Sequence, residues 1–420
     1  MIDTELYTGN IPHLYNQFVN EIGQANWTNR VRKCNDEIRG NPLLSSHLRA
    51  ENEIAYQLDT LTNMHKKFGE IPLQLVNSRS LYPAMAFIAQ VLSLTRNSPA
   101  SEASKLFGRV RGALKNPDDM RGLQLELAVA THFVGEGKKI SWPEITKIGT
   151  FDLLVEDSSH PPLEVECKSI GTNKGRVIKT REILDFASLL RKQIMGLNAS
   201  QAFGLSVVLT LPNKLPNDYR DRKALASELW AAIESTTSGT LTSGATVELF
   251  QFDTKTLGLP PFQDSAFARK IVDEISGTSN RAALIFGAKN GGIVALTIQS
   301  QNDDNFLDSI FDTLSDAAGR QLTKSRAGLL IAELTDLSKE QLANLVEHDN
   351  NGLNAPTALR VFTSRFLIAD NRQHLVGVNF ITSGTLNSVD ALAVQQSGAV
   401  YSFRNERSPF WSAAYSHLFN

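Results

Sequence analysis

The stretch GTFDLLVEDSSHPPLEVECKSIG, residues 149–171, carries the residue types in this chain best suited to chemistry. Two runs of alternating polarity, GTFDLLVE and PPLEVECKS, flank the turn-forming segment DSSHPP, which is the pattern of a β-hairpin. Side chains alternate faces along a strand, so Asp152 shares a face with Leu154 and Glu156, and Glu166 shares one with Glu164 and Lys168. Antiparallel pairing lets those polar faces coincide and gathers Asp152, Glu166 and Lys168 at one place. Two carboxylates there supply hard oxygen ligands for Mg²⁺, or for Mn²⁺ in its stead. A divalent ion so held polarises a phosphate and acidifies a bound water, while the lysine stabilises developing negative charge, which is what phosphodiester hydrolysis requires.

The acid-any-lysine tripeptide is not specific by itself, since it occurs four times, at Glu136/Lys138, Glu166/Lys168, Asp221/Lys223 and Asp253/Lys255. Context separates them. Glu136 sits in the turn GEGKK, Asp221 opens a solvated helix, and Asp253 has no acidic strand before it at hairpin distance. Only Glu166 has an aspartate on a neighbouring strand and an acid-bearing helix just upstream. That helix is NPDDMRGLQLELAVATHFVGEG, with cap chemistry at Asn116, Asp118 and Asp119, Pro117 suited to its first turn, and Gly135 or Gly137 to end it. Glu126 shares its apolar face with Leu123, Ala130 and Phe133. An acid there costs several kcal/mol to desolvate unless paired, with a metal or Lys168 as the expected partner. The plainer alternatives are a Glu126 at the edge of the stripe that reaches water, and a hairpin whose Glu164, Glu166 and Lys168 form a solvated ladder at a sheet edge.

Helix with a glutamate, short strand KISWPEI, then a hairpin with Asp on one strand and Glu-x-Lys on the next: this order resembles the PD-(D/E)XK nuclease superfamily, the restriction-endonuclease-like fold. The resemblance spans roughly Met120 to Leu211 and implies an α/β fold with a mixed-sheet core. It also implies metal ligation by Asp152, Glu166, the main-chain carbonyl of Cys167 and the auxiliary acid Glu126, with Lys168 serving catalysis. The sequence departs from the family's name at Phe151, where that name implies Pro. The implied activity is Mg²⁺-dependent hydrolysis of nucleic acid, DNA first, in restriction, phage defence or repair. The alternatives are an RNA-directed nuclease and a non-catalytic nucleic-acid-binding or regulatory module that keeps the fold.

Past the hairpin, Lys174, Arg176, Lys179 and Arg181 fall between Ser169 and Arg181 with no acid among them. A cationic, glycine-containing loop suits a phosphate backbone without sequence preference, although a plain surface loop reads the same way. The helix that follows carries Lys192 and Gln193 and resembles the family's second core helix, a source of phosphate contacts. Arg30, Arg32, Lys33, Arg109 and Arg111 are read as a solvated face, and Trp27 as core.

The chain of 420 residues, 42% apolar and 20% charged with a net charge of −2, is long enough for two or three domains and is no polycation. Two distant cysteines exclude a disulfide framework and fit a reducing cytoplasm. Neither a targeting leader nor an eighteen-residue apolar run is read, so no membrane partner is expected, and self-association into a homo-oligomer is compatible. The expected division is a helical region over 1–115, the nuclease-like domain over 116–255, and a further α/β domain over 264–420. A linker falls at TLGLPPFQD, and an Asn-Gly hairpin turn at KNGG within the last domain. That domain also contains Asp304, Asp308, Asp312 and Asp316 at helical spacing, read as a solvated face. Phosphate-loop and serine-elbow motifs are missing.

Overall fold

A computed structural model describes residues 3–76, 79–96, 98–157, 160–171, 173–200, 203–253, 274, 282–287, 292–335, 337–388 and 393–419. The fold is mixed α/β, with helices and mixed sheets. No helix among the described residues is long and apolar enough to cross a membrane. The TLGLPPFQD segment, Lys255 and most of the KNGG turn lie outside the described residues.

The N-terminal helices form as their periodicity predicts. Helix Ile11–Ile22 buries Ile11, Tyr15, Phe18 and Ile22, one stripe at spacings of three and four. Trp27 is fully buried and donates its indole N–H to Thr62 Oγ1 at 2.9 Å, so it is core. One element there differs from the helical expectation: Asp3–Tyr7 is a strand, β1, paired antiparallel with β13 (Ala393–Ser397), which also pairs with β12 (Thr385–Ser388). A five-residue strand whose partner lies at the far end of the chain leaves no local periodic signal.

Strands are numbered in chain order. The largest sheet has six: β14 (Val400–Arg404), β11 (Leu375–Ile381), β10 (Ala327–Leu334), β4 (His160–Ile170), β3 (Leu153–Asp157) and β2 (Lys139–Ser141), in that spatial order. β2, β3 and β4 are antiparallel neighbours, as the hairpin pattern predicts. β10 lies parallel to both β4 and β11. One face of this sheet contributes Leu153, Leu163, Val165, Cys167, Leu329 and Ile331 to a core shared with Trp27, Leu58, Phe87 and the helix Pro117–Gly135.

A second sheet of five strands runs β6 (Gly239–Thr240), β7 (Thr246–Phe252), β5 (Gly204–Leu211), β9 (Ile293–Ser300) and β8 (Ala282–Gly287). Its centre, β5, is the apolar run predicted for a strand buried on both faces, and it packs with helices Thr180–Ser200 and Tyr219–Ser235.

The chain forms two compact units, one of Met1–Asp36, Arg49–Lys174 and Leu307–Asn420, the other of Glu37–Leu48 and Gly175–Phe306. This differs from the expected consecutive segments, because 116–255 and 264–420 each give strands to both sheets. The physical reason is the parallel pairing of β4 with β10, which needs a crossover that local pattern does not reveal. Helix Thr180–Ser200, read as the second core helix of the nuclease-like domain, instead buries Ile183, Phe186, Ala187, Leu190 and Ile194 in the second unit.

Candidate functional site

Glu126 is placed by a well-terminated helix. The Asn116 side chain accepts the N–H of Asp118, Pro117 occupies the first turn, and Asp118 and Asp119 sit where the helix dipole favours negative charge. Leu123, Ala130 and Phe133 are buried on the predicted face, and Glu126 is buried with them at 6% exposure. It therefore does not reach water at the stripe's edge. Its partner is not Lys168 but Arg109 on helix Ala100–Ala113, whose Nη2 lies 2.9 Å from Oε1. Arg109 also faces Glu144 at 3.7 Å. It is the site residue that the solvated-face reading missed. The available signal was position: Arg109 flanks the buried Leu106 and Val110, on the helix immediately before the one that carries an unpaired acid.

The hairpin places the other acids. With Leu153 opposite Val165 and Val155 opposite Leu163, continuing the register by one residue sets Asp152 across from Glu166. The Asp152 N–H donates to Glu166 Oε2 at 3.2 Å, and Asp152 Oδ2 accepts from the Cys167 N–H at 2.8 Å. Lys168 Nζ lies 2.5 Å from Glu166 Oε1. The site residues predicted from sequence, Asp152, Glu166, Lys168 and Glu126, thus share one neighbourhood together with Arg109. The solvated-ladder alternative fails, since the side chains of Glu164 and Glu166 have no exposure.

Those two glutamates sit two residues apart on the same face of β4 and differ in what surrounds them. Glu164 accepts from the N–H and hydroxyl of Thr323 and from Arg326 Nη1, so its burial is compensated. Glu166 Oε1 receives no hydrogen bond despite the nearby ammonium, which is off the bonding direction, and Glu126 Oε2 and Arg109 Nη1 are also buried without partners. Uncompensated buried oxygens are costly, and here two cluster around Asp152.

Their electrostatics follow. Burial, reinforced by the Asp152 charge and opposed by Arg109, raises Glu126 to about 7. Burial and Asp152, opposed by Lys168, raise Glu166 to about 8. Asp152 is raised by burial against the Cys167 N–H bond and the Lys168 charge. Burial acts against the charge on Lys168, yet Glu166 and Asp152 leave it above the ordinary lysine value. The cluster holds more carboxylate than its two cations neutralise, in a place from which water is largely excluded.

A hard divalent cation fits this donor set. Among the described residues no three His, Cys, Asp or Glu side chains stand gathered as a metal cage. A site of two carboxylates completed by a main-chain carbonyl does not need three. The orphaned oxygens and the excess negative charge are what such an ion would satisfy.

The basic residues expected to contact nucleic acid divide between the units. Lys174 closes the first, whereas Arg176, Lys179, Arg181, Lys192 and Gln193 belong to the second. Arg181 pairs with Glu37 and Asp185, and Lys192 and Gln193 are exposed on a helix committed to the second core. Arg111 donates to the Glu21 carbonyl at 2.8 Å. No protein family, curated protein or solved structure matches the chain.

Proposed function

We propose that this chain is a Mg²⁺-dependent nuclease with a restriction-endonuclease-like core, hydrolysing phosphodiester bonds in DNA in restriction, phage defence or repair. The observation that carries the reading is the pair of buried, unsatisfied carboxylate oxygens on Glu126 and Glu166 flanking Asp152, with Lys168 alongside. The order of elements supports it: an acid-bearing helix, the meander β2–β3–β4, and a crossover to a strand parallel to β4 within one mixed sheet.

Asp152 and Glu166 would hold the ion, with Glu126 as auxiliary acid. The Cys167 carbonyl is suited to join them. Its N–H points to Asp152, and a strand residue directs N–H and C=O to the same edge, here beyond the last paired residue of β3. When bound, Mg²⁺ would polarise the phosphate and acidify a water. Lys168 Nζ supplies positive charge where negative charge develops. Arg109 fixes Glu126, whose Oε2 can hold or release a proton near neutral pH.

The test is cleavage of DNA and of RNA of the same sequence, with Mg²⁺, with Mn²⁺ and with EDTA. DNA cleavage that EDTA stops, and that Asp152→Ala and Lys168→Ala each abolish without altering the circular dichroism spectrum, is expected. Full activity in both variants overturns the assignment, and cleavage of RNA alone reassigns the polymer. Mn²⁺ raising the melting temperature with neither polymer cut would leave a binding module.

A further inference from the structure

Outside the acid cluster, the first unit contains a second concavity of about 530 Å³ counted up to its open mouth. Its walls are apolar: Val129 and Phe133 from helix Pro117–Gly135, Leu329 and Ile331 from β10, and Ile381 from β11. Leu418, from the C-terminal segment Ala413–Phe419, also lines it. The size falls in the range of small-molecule sites, ~300–1,000 Å³.

One polar group in this lining is decisive. Asn379 on β11 is 7% exposed, and its Nδ2 donates to the Leu418 carbonyl at 3.0 Å. A carbonyl oxygen only accepts, so the amide nitrogen must face Leu418, and the buried Oδ1 is left without a partner. The two histidines of the lining are already engaged, His132 with Glu136 at 3.4 Å and His417 with the Ala414 carbonyl at 2.6 Å. A water at Oδ1 needs two to four polar partners, which hydrocarbon walls do not offer. An ion would lose its hydration there.

We infer that this concavity is a binding site for a compact, neutral, mostly apolar molecule with one N–H or O–H donor, which the Asn379 Oδ1 receives. The site involves none of the acids assigned above and stands independently of the nuclease reading.

Indole is the probe, since it has an apolar ring body and a single N–H. Benzothiophene is its control, with the same outline and no donor. Calorimetric titration of the full chain should give saturable one-to-one binding of indole, at least tenfold tighter than benzothiophene. Asn379→Leu should erase that preference, and Val129→Trp should abolish binding of both by filling the space. Absence of saturable indole binding, equal affinity for the two rings, or a preference that survives in Asn379→Leu overturns the proposal. If Asn379→Leu fails to fold, the comparison of the two rings on the unmodified chain still decides.

Discussion

The central strands of the two sheets, β4 and β5, are both enclosed by their own units yet are built from opposite materials. β5 is GLSVVLTL, whose buried polar residue, Ser206, carries nothing more demanding than a hydroxyl. β4 is HPPLEVECKSI and buries two carboxylates, Glu164 and Glu166. A strand under no constraint but packing looks like β5, because each buried charge must be matched by fixed partners or cost stability. β4 therefore teaches by its exceptions. Glu164 is matched by Thr323 and Arg326 and is structural, whereas Glu166 is left under-matched beside Asp152, as a residue reserved for a ligand would be. Natural proteins give up stability at functional positions in this way.

The largest effect that could break this contrast is on catalysis. Asp152→Asn should lower Mg²⁺-dependent cleavage by roughly 10³-fold or more, comparable with the loss of other transition-state charge stabilisers, as measured in single-turnover assays. Wild-type rates would end the distinction between the strands. On the β5 side, Leu209→Ala should cost about 2–5 kcal/mol in denaturant unfolding through the cavity it leaves, with cleavage per folded molecule unchanged. Within β4, Glu164→Gln should destabilise by ~1–3 kcal/mol as charged hydrogen bonds are lost. Glu166→Gln should leave the metal-free protein as stable or more so, and a larger loss at Glu166 than at Glu164 would reverse their assignment. Arg109→Gln should remove the charge that restrains Glu126, moving the pH profile to the alkaline side and slowing cleavage at neutral pH about tenfold per pKa unit gained.

The smallest effect is on thermal stability against pH. The native acids Glu126 and Glu166, at about 7 and about 8, hold protons that the unfolded chain releases near 4.5. The native state thus binds more protons in that window, and metal-free stability should fall as pH rises from about 4.5 to 8. Mn²⁺ must displace those protons, so its stabilising shift in melting temperature should grow over the same interval. A metal-induced shift that is flat with pH would argue against these acids as ligands.

Much of the site was legible because its determinants are local. The Asn116 cap, the face of Glu126, and the opposition of Asp152 and Glu166 all follow from periods of 3.6 and 2 and from the turn at Asp157. Three features were not. Arg109 as the Glu126 partner depends on how two helices pack, β1 depends on a partner at the far end of the chain, and the neighbour of β4 turned out to be β10 rather than β5. Parallel pairing is decided by burial across long separations, for which an apolar run such as FGLSVVLTLP is equally eligible. That ambiguity also misassigned helix Thr180–Ser200, and Lys192 and Gln193 with it.

The pairing of Leu163 with Ala327 sets a timetable for the nascent chain. At ~5–20 residues per second, a ribosome takes roughly ten to thirty seconds to supply the second strand after the first. The whole of Gly175–Phe306 is synthesised in that interval. The apolar side of β4 must wait, shielded by the earlier helices alone, while the intervening unit has all of its own strands to hand. Chaperone dependence during translation should therefore concentrate on the half that carries the acids.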